Sequence, residues 1–364
     1  MPRAGTPPCR HRVQRLIEPG PELRIEPSEG SRPGHRTPPY PGVPGRGAER
    51  RKSRRTALFR TCRYSAVLAW RHLETQARKG VRVRIPAPAS ADERTNGPGA
   101  SVRRVWVLAI VNEKGGSAKT TTAVNLAAAL AERNRRVLVV DLDAQANASL
   151  WLGVEDDGQA LLEVLLGERP IDEAIRPAPE LEGVDVLPAS RRLGNLAAHV
   201  GWAELPQALL RERLTAVRER YDYALLDGPR SVDLLSTNAL VAADGALVPL
   251  IPETLAYLGL VAMDAAIRSV RPALNPALEG PRVLRSRWED RTLDARAVLA
   301  QSEAQFGPAI MRSVVRADIA VRHAARAGRP VLAGPRSRAG EDFRALAGEV
   351  EEWAAQQTKG GTVV

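Results

Sequence analysis

Residues 112–122 read NEKGGSAKTTT, which brings two lysines, two glycines and three threonines into one short stretch. Gly115 and Gly116 permit a tight turn that points several backbone N–H groups inward, and a helix beginning just after them adds its partial positive charge. Lys119 then stands where terminal phosphates would lie, and the Thr120 hydroxyl is placed to ligate Mg²⁺. An ordinary glycine-rich turn from strand to helix explains the glycines but not the lysines and threonines. The common phosphate-loop pattern, Gly, four residues, Gly-Lys-Thr, is not met, because Glu113 and Ala118 occupy its two glycine positions.

Two further stretches offer carboxylates. VLVVDLDAQANASLWLG, residues 137–153, carries Asp141 and Asp143; YDYALLDGPRSVDLLSTNAL, residues 221–240, carries Asp227. Each follows an apolar run of strand length, and acids at the end of a buried strand beside a phosphate loop are electrostatically sensible only if metal or water offsets them.

The elements that must position these groups follow from hydrophobic patterning. Continuous apolar runs predict buried strands over residues 105–111, 136–141, 184–187, 223–227 and 245–251. One-face spacing predicts helices over 120–134, 206–220, 232–242 and 256–270. Alternation sustained over about 200 residues implies an α/β fold, a mostly parallel sheet with helices on both faces. Ala118 immediately precedes the first helix and is expected in helical geometry, where alanine costs nothing; a left-handed conformation would cost it about 1–2 kcal/mol.

Charge divides the chain. Residues 1–104 hold 23 basic and 8 acidic residues, and residues 1–100 hold 14 of the 28 prolines. Such a segment cannot bury enough surface to offset chain entropy, so residues 1–104 are expected to be a disordered basic tail with one stretch, 56–79, that reads as helical. The tail has several readings: a nucleic-acid-binding arm, a helix-turn-helix module, a solvated extension, or sequence translated from upstream of the true start, for which Val102 is a candidate. Residues 105–358 are expected to form the globular domain, with 359–364 a short tail. Both cysteines, Cys9 and Cys62, lie before Val105, which sets aside thiolate-bound metal and cysteine nucleophiles in the domain. No run reaches membrane-spanning length. Residues 281–340 carry 12 basic and 5 acidic residues, a second concentration of positive charge.

The stretch KGGSAKTT, residues 114–121, with its extra Lys114, resembles the deviant Walker motif (Lys-Gly-Gly-x-x-Lys-Thr) of the ParA/MinD family of ATPases. In that family the early position is not a required glycine, so Glu113 is no defect. The resemblance implies a P-loop NTPase-like fold, ATP and Mg²⁺ as cofactors, and nucleotide contacts from Lys114, Gly115, Gly116, Ser117, Ala118, Lys119, Thr120 and Thr121. It implies that Lys114 reaches across a dimer interface to the partner's nucleotide, which makes ATP binding and homodimerisation one event. Residues 137–153 are similar to the family's Asp-x-Asp-Pro-Gln motif with Ala144 in place of proline; Asp143 would position or activate the attacking water and Asp141 support the Mg²⁺ shell. Residues 221–240 look like its Walker B region, usually ending Asp-x-Pro-Pro. Asp227 would hold a Mg²⁺-bound water, and Arg230 stands at the second proline, either reshaping the switch loop or lying on the surface. Weaker likeness over 248–260 and 314–332 carries the resemblance to about residue 355.

Among relatives of this kind, the iron–sulfur members need cysteines. MinD carries a basic amphipathic C-terminal helix, whereas EEWAAQQTKGGTVV here is too polar and acidic to insert in a membrane. Tyrosine kinases of this fold end in a tyrosine cluster, and no tyrosine follows Tyr257. The DNA-partition branch is left. It implies a cytoplasmic, nucleoid-associated ATPase that binds nonspecific double-stranded DNA and is stimulated by a ParB-like partner. Arg285, Arg287, Arg312, Arg316, Arg322 and Arg326 are the leading candidates for phosphate contacts, with Arg291, Arg296 and Arg329 beside them. A nucleotide-gated positioning or transcription-regulating scaffold with little turnover is the alternative, and an amidoligase on the same fold a third.

Overall fold

The computed structural model describes residues 105–155, 160–201 and 203–360. The expected basic tail, its helix at 56–79 and residues 361–364 lie outside the described residues. One eight-stranded sheet organises the chain, in the order β3-β4-β2-β5-β1-β6-β7-β8. Its strands are β1 (Trp106–Ile110), β2 (Val137–Asp141), β3 (Arg176–Pro177), β4 (Val184–Leu187), β5 (Tyr223–Asp227), β6 (Gly245–Leu250), β7 (Glu279–Trp288) and β8 (Ile310–Arg316). All pairings are parallel except that of the two-residue β3 with β4.

The longer helices are α1 (Lys119–Ala131), α2 (Asn147–Trp151), α3 (Ala160–Leu166), α4 (Leu209–Leu214), α5 (Leu234–Ala242), α6 (Thr254–Val270), α7 (Leu293–Phe306), α8 (Ile319–Arg326) and α9 (Arg338–Gly360). The strand period of two divides the apolar residues between the faces of the sheet. Val107 and Ala109 of β1 point into a core covered by α3 to α7, whereas Trp106, Leu108 and Ile110 point into one covered by α1, α2, α8 and α9. Strands buried on both sides must be apolar throughout, which is why WVLAI, VLVVD and YALLD read as continuous runs.

The central strands lie where the apolar runs place them. The helix expected over 206–220 is instead a 3₁₀ turn at Pro206–Ala208, α4, and a second 3₁₀ turn at Thr215–Val217. Pro206 opens that segment and β-branched Thr215 and Val217 disfavour its continuation as one helix.

Candidate nucleotide site

β1 lies between β5 and β6 in mid-sheet, and the loop at 111–118 leaves its C-terminal end to enter α1. That edge of an open parallel sheet, where the chain turns from filling one half to filling the other, is where ligands bind in such folds. Asn112 anchors the loop. It is buried, its amide donates to the Pro249 carbonyl at 2.8 Å, and its Oδ1 accepts the Lys114 N–H at 2.9 Å. α6 runs so close that a Cβ on Gly259 would fall 2.6 Å from that same Oδ1.

The loop takes two left-handed steps, at Gly116 (φ 75°) and at Ala118 (φ 70°). Helical geometry for Ala118 is therefore overturned: α1 starts one residue later, and the peptide before it must reverse hand to bring the N–H groups of the first turn onto the loop. A glycine would adopt this conformation freely, whereas alanine bears a penalty of about 1–2 kcal/mol. The carbonyl of Ala118 is held by the Thr122 hydroxyl at 2.7 Å. Ser117 is buried with its hydroxyl unpartnered.

Lys119 is buried, and its ammonium donates to the Lys114 carbonyl at 3.3 Å. Burial lowers its pKa, opposed by the charges of Asp227 and Asp143. Lys114 points elsewhere: its ammonium pairs with Glu253, the residue that opens α6. The two lysines of the motif are thus divided, one inside the loop and one on its outer flank.

β2 and β5 are adjacent and in register, with Asp141 opposite Asp227. Asp141 is fully buried and its pKa is pushed up to about 6 by desolvation, although the Ser149 N–H and hydroxyl donate to its Oδ2 at 2.8 and 2.7 Å. The Asp143 N–H donates to its Oδ1 at 3.2 Å. Asp227 is different. Neither of its oxygens makes a hydrogen bond of good geometry, even though the Thr120 hydroxyl lies close enough to favour the charged form. Desolvation first, and the charge of Asp141 second, raise its pKa well above the carboxylate range. An orphaned buried carboxylate facing a threonine hydroxyl and a lysine is a poor structural element and a good position for a hydrated cation. No group of three or more His, Cys, Asp or Glu that could hold a metal alone occurs among the described residues, so a metal here would need oxygen ligands brought by its ligand.

Asp143 is buried at the mouth of the loop. Its Oδ1 accepts the Gln145 N–H at 3.0 Å and its Oδ2 accepts the Arg230 Nε–H at 3.3 Å. A cavity of about 980 Å³ opens in front, bordered by the loop residues from Gly116 to Thr122, by Asp143 and Arg230, and by Arg287 and Arg322 from the far strands and α8. Sequence alone missed Asn112, Ser149 and Glu253, whose partners no local pattern announces, and left open what Arg230 does.

The six leading arginines fall into two sets. Arg312 is ion-paired with Glu349 and Glu352, Arg316 makes a two-pronged pair with Asp342, and Arg285 is half-buried. Arg287, Arg322 and Arg326 are exposed and show no ion pair among the described residues; the last two lie one turn apart on α8.

Residues 105–280 match the family model described as an AAA domain. The chain is 38% identical over 237 residues to the chromosome partitioning protein ParA of Caulobacter vibrioides, an alignment covering 64% of this chain and 88% of the relative. It is 40% identical over 252 residues to the chromosome-partitioning ATPase Soj of Thermus thermophilus, covering 69% and 96%. Among solved structures, a Mycobacterium smegmatis protein described as cobyrinic acid a,c-diamide synthase, with bound ADP and magnesium, superposes with a TM-score of 0.61 at 29% identity, over 69% of this chain and 96% of that one.

Proposed function

The chain belongs to the ParA/MinD-type family of ATPases, and from that premise we propose that it is a partition ATPase that dimerises on ATP and binds DNA without regard to sequence. The observation that carries the catalytic part is the convergence on one loop of Lys119, the orphaned carboxylate of Asp227 and the cavity-lining carboxylate of Asp143. The loop N–H groups and the unpartnered Ser117 hydroxyl receive phosphate oxygens, together with Gly115, Gly116, Thr120 and Thr121. Lys119 neutralises the terminal phosphates. Thr120 and Asp227 would hold Mg²⁺, with Asp141 supporting them through its bonds to Ser149 and Asp143. When bound, Mg²⁺ neutralises phosphate charge and fixes the phosphates for in-line attack. Asp143 orients the attacking water for slow hydrolysis to ADP and phosphate, with orientation and electrostatics as the protein's contribution.

The division of the two lysines supports a dimer. Lys119 already serves the loop from within, and Lys114 lies on the outer flank in a pair that a partner's phosphate can replace. Arg322 and Arg326, with Arg287, which borders the same cavity as Arg322, are the DNA contacts we favour; Arg285, Arg312 and Arg316 are engaged or half-buried. A ParB-like protein would stimulate turnover, and the protein would act in the cytoplasm on the nucleoid. The test is ATPase turnover with and without DNA and a ParB-like partner, in wild type, Lys119→Ala and Asp143→Ala. Loss in both variants with stimulation in wild type is expected; nucleotide binding with a turnover indifferent to DNA and partner would favour the positioning scaffold.

A further inference from the structure

Arg230 is where this chain departs from the Asp-x-Pro-Pro motif it resembles, and its side chain lies inside the site. Its Nε–H donates to Asp143 Oδ2 at 3.3 Å, while the other oxygen of Asp143 is taken by the Gln145 N–H. The carboxylate expected to orient water is therefore partly occupied by a cation from the loop after β5. That cation also borders the phosphate loop: its Cδ lies 3.7 Å from where a Cβ on Gly115 would be, and it forms part of the wall of the 980 Å³ cavity. Its charge reaches Lys119, whose pKa it lowers in addition to burial.

The backbone close to Arg230 is tightly packed, and its side chain is half-exposed. A Cβ on the nearby Gly228 would meet Val111 Cγ1 at 2.9 Å and the Ile110 carbonyl oxygen at 3.0 Å, so the loop is pressed against the end of β1. The arginine side chain is 54% exposed and Asp143 only 10%. A half-exposed ion pair of this kind is weakly held. A nucleoside triphosphate in the loop presents more negative charge than one carboxylate, and guanidinium binds phosphate through the same planar fork.

We propose that Arg230 is a phosphate-sensing cation supplied in cis: it pairs with Asp143 and transfers to the terminal phosphate of a bound triphosphate, releasing Asp143 to orient water. The proposal rests on the ATPase reading of the site and adds to it a positioning residue that distinguishes triphosphate from diphosphate. No covalent bond changes in the transfer; one ion pair replaces another.

The experiment is equilibrium titration of the full chain with a fluorescent non-hydrolysable ATP analogue and with fluorescent ADP, each with Mg²⁺. Arg230→Gln should weaken the triphosphate about tenfold or more and leave ADP within about twofold, since only the triphosphate carries the group that takes the arginine. Arg230→Lys should recover most of the loss. Asp143→Asn should tighten the triphosphate, by removing both a nearby negative charge and the competitor for Arg230. In the double variant the second part of that gain should vanish. Equal changes for both nucleotides, no change in either, or an Asp143→Asn gain that is the same with and without Arg230 would overturn the proposal. A wild-type chain that binds neither nucleotide would instead defeat the ATPase reading beneath it.

Discussion

Ala118 and Asp141 each depart from what the fold alone would choose, and each gives a measurable consequence. Ala118→Gly removes the left-handed penalty at φ 70° and adds some unfolded-chain entropy; the expected net gain is about 1 kcal/mol in urea unfolding. Asp141 has its pKa raised from its ordinary value near 4 to about 6, so the folded chain holds more protons than the unfolded chain between those values. Without nucleotide and Mg²⁺, stability should therefore fall as pH rises through this window, and Asp141→Asn should flatten the profile in a melting series. That Lys119, Asp143 and Asp227 meet around one loop was legible because their types and spacing sit in short stretches beside apolar runs. The hand of Ala118 was not, because loop closure sets it and the side chain does not. The bond of Ser149 to Asp141 was also hidden, since nothing in a serine eight residues on announces which carboxylate it will face.

Elements meet at the site through contacts with no room for a side chain. Gly228 holds the start of the switch loop against β1, and Gly259 lets α6 approach the Asn112 anchor. Gly228→Ala should cost about 1–3 kcal/mol and weaken nucleotide binding, because the atoms it meets include backbone that cannot swing aside. Denaturation and nucleotide titration of the same variant would check both; an unchanged affinity would mean that the loop finds another route. At this scale β1, β2, β4, β5 and β6 were readable as buried runs. β7 and β8 were not, because arginines at 282, 285, 287, 312 and 316 interrupt their apolar alternation and made the segment look like a charged surface. They flank the sheet on one side, where exposed positions tolerate charge.

For the molecule as a whole, the arginine sets predict different failures. Replacing Arg322 and Arg326 together by Ala should lower the slope of log binding constant against log salt by about 2 on nonspecific DNA, with the melting temperature unchanged. Replacing Arg316 should instead lower the melting temperature, because Asp342 is buried and would lose its cation. Lys114→Ala should still bind nucleotide through Lys119 yet remain monomeric with ATP in sedimentation; a dimer formed without Lys114 would remove the reason for its place outside the loop. The same scale gives α9 a further meaning. It packs on α1 and β8 and ties to the turn after α1 through Glu351 with Arg133 and Arg135 and through Arg344 with Glu132, while the Val331 N–H is held by Asn125 of α1. α1 begins at the phosphate loop, so the helix that completes that loop takes part of its covering from residues made some 200 positions later. During synthesis the motif leaves the ribosome long before α9 does, and α1 gains this part of its covering only once α9 has been made.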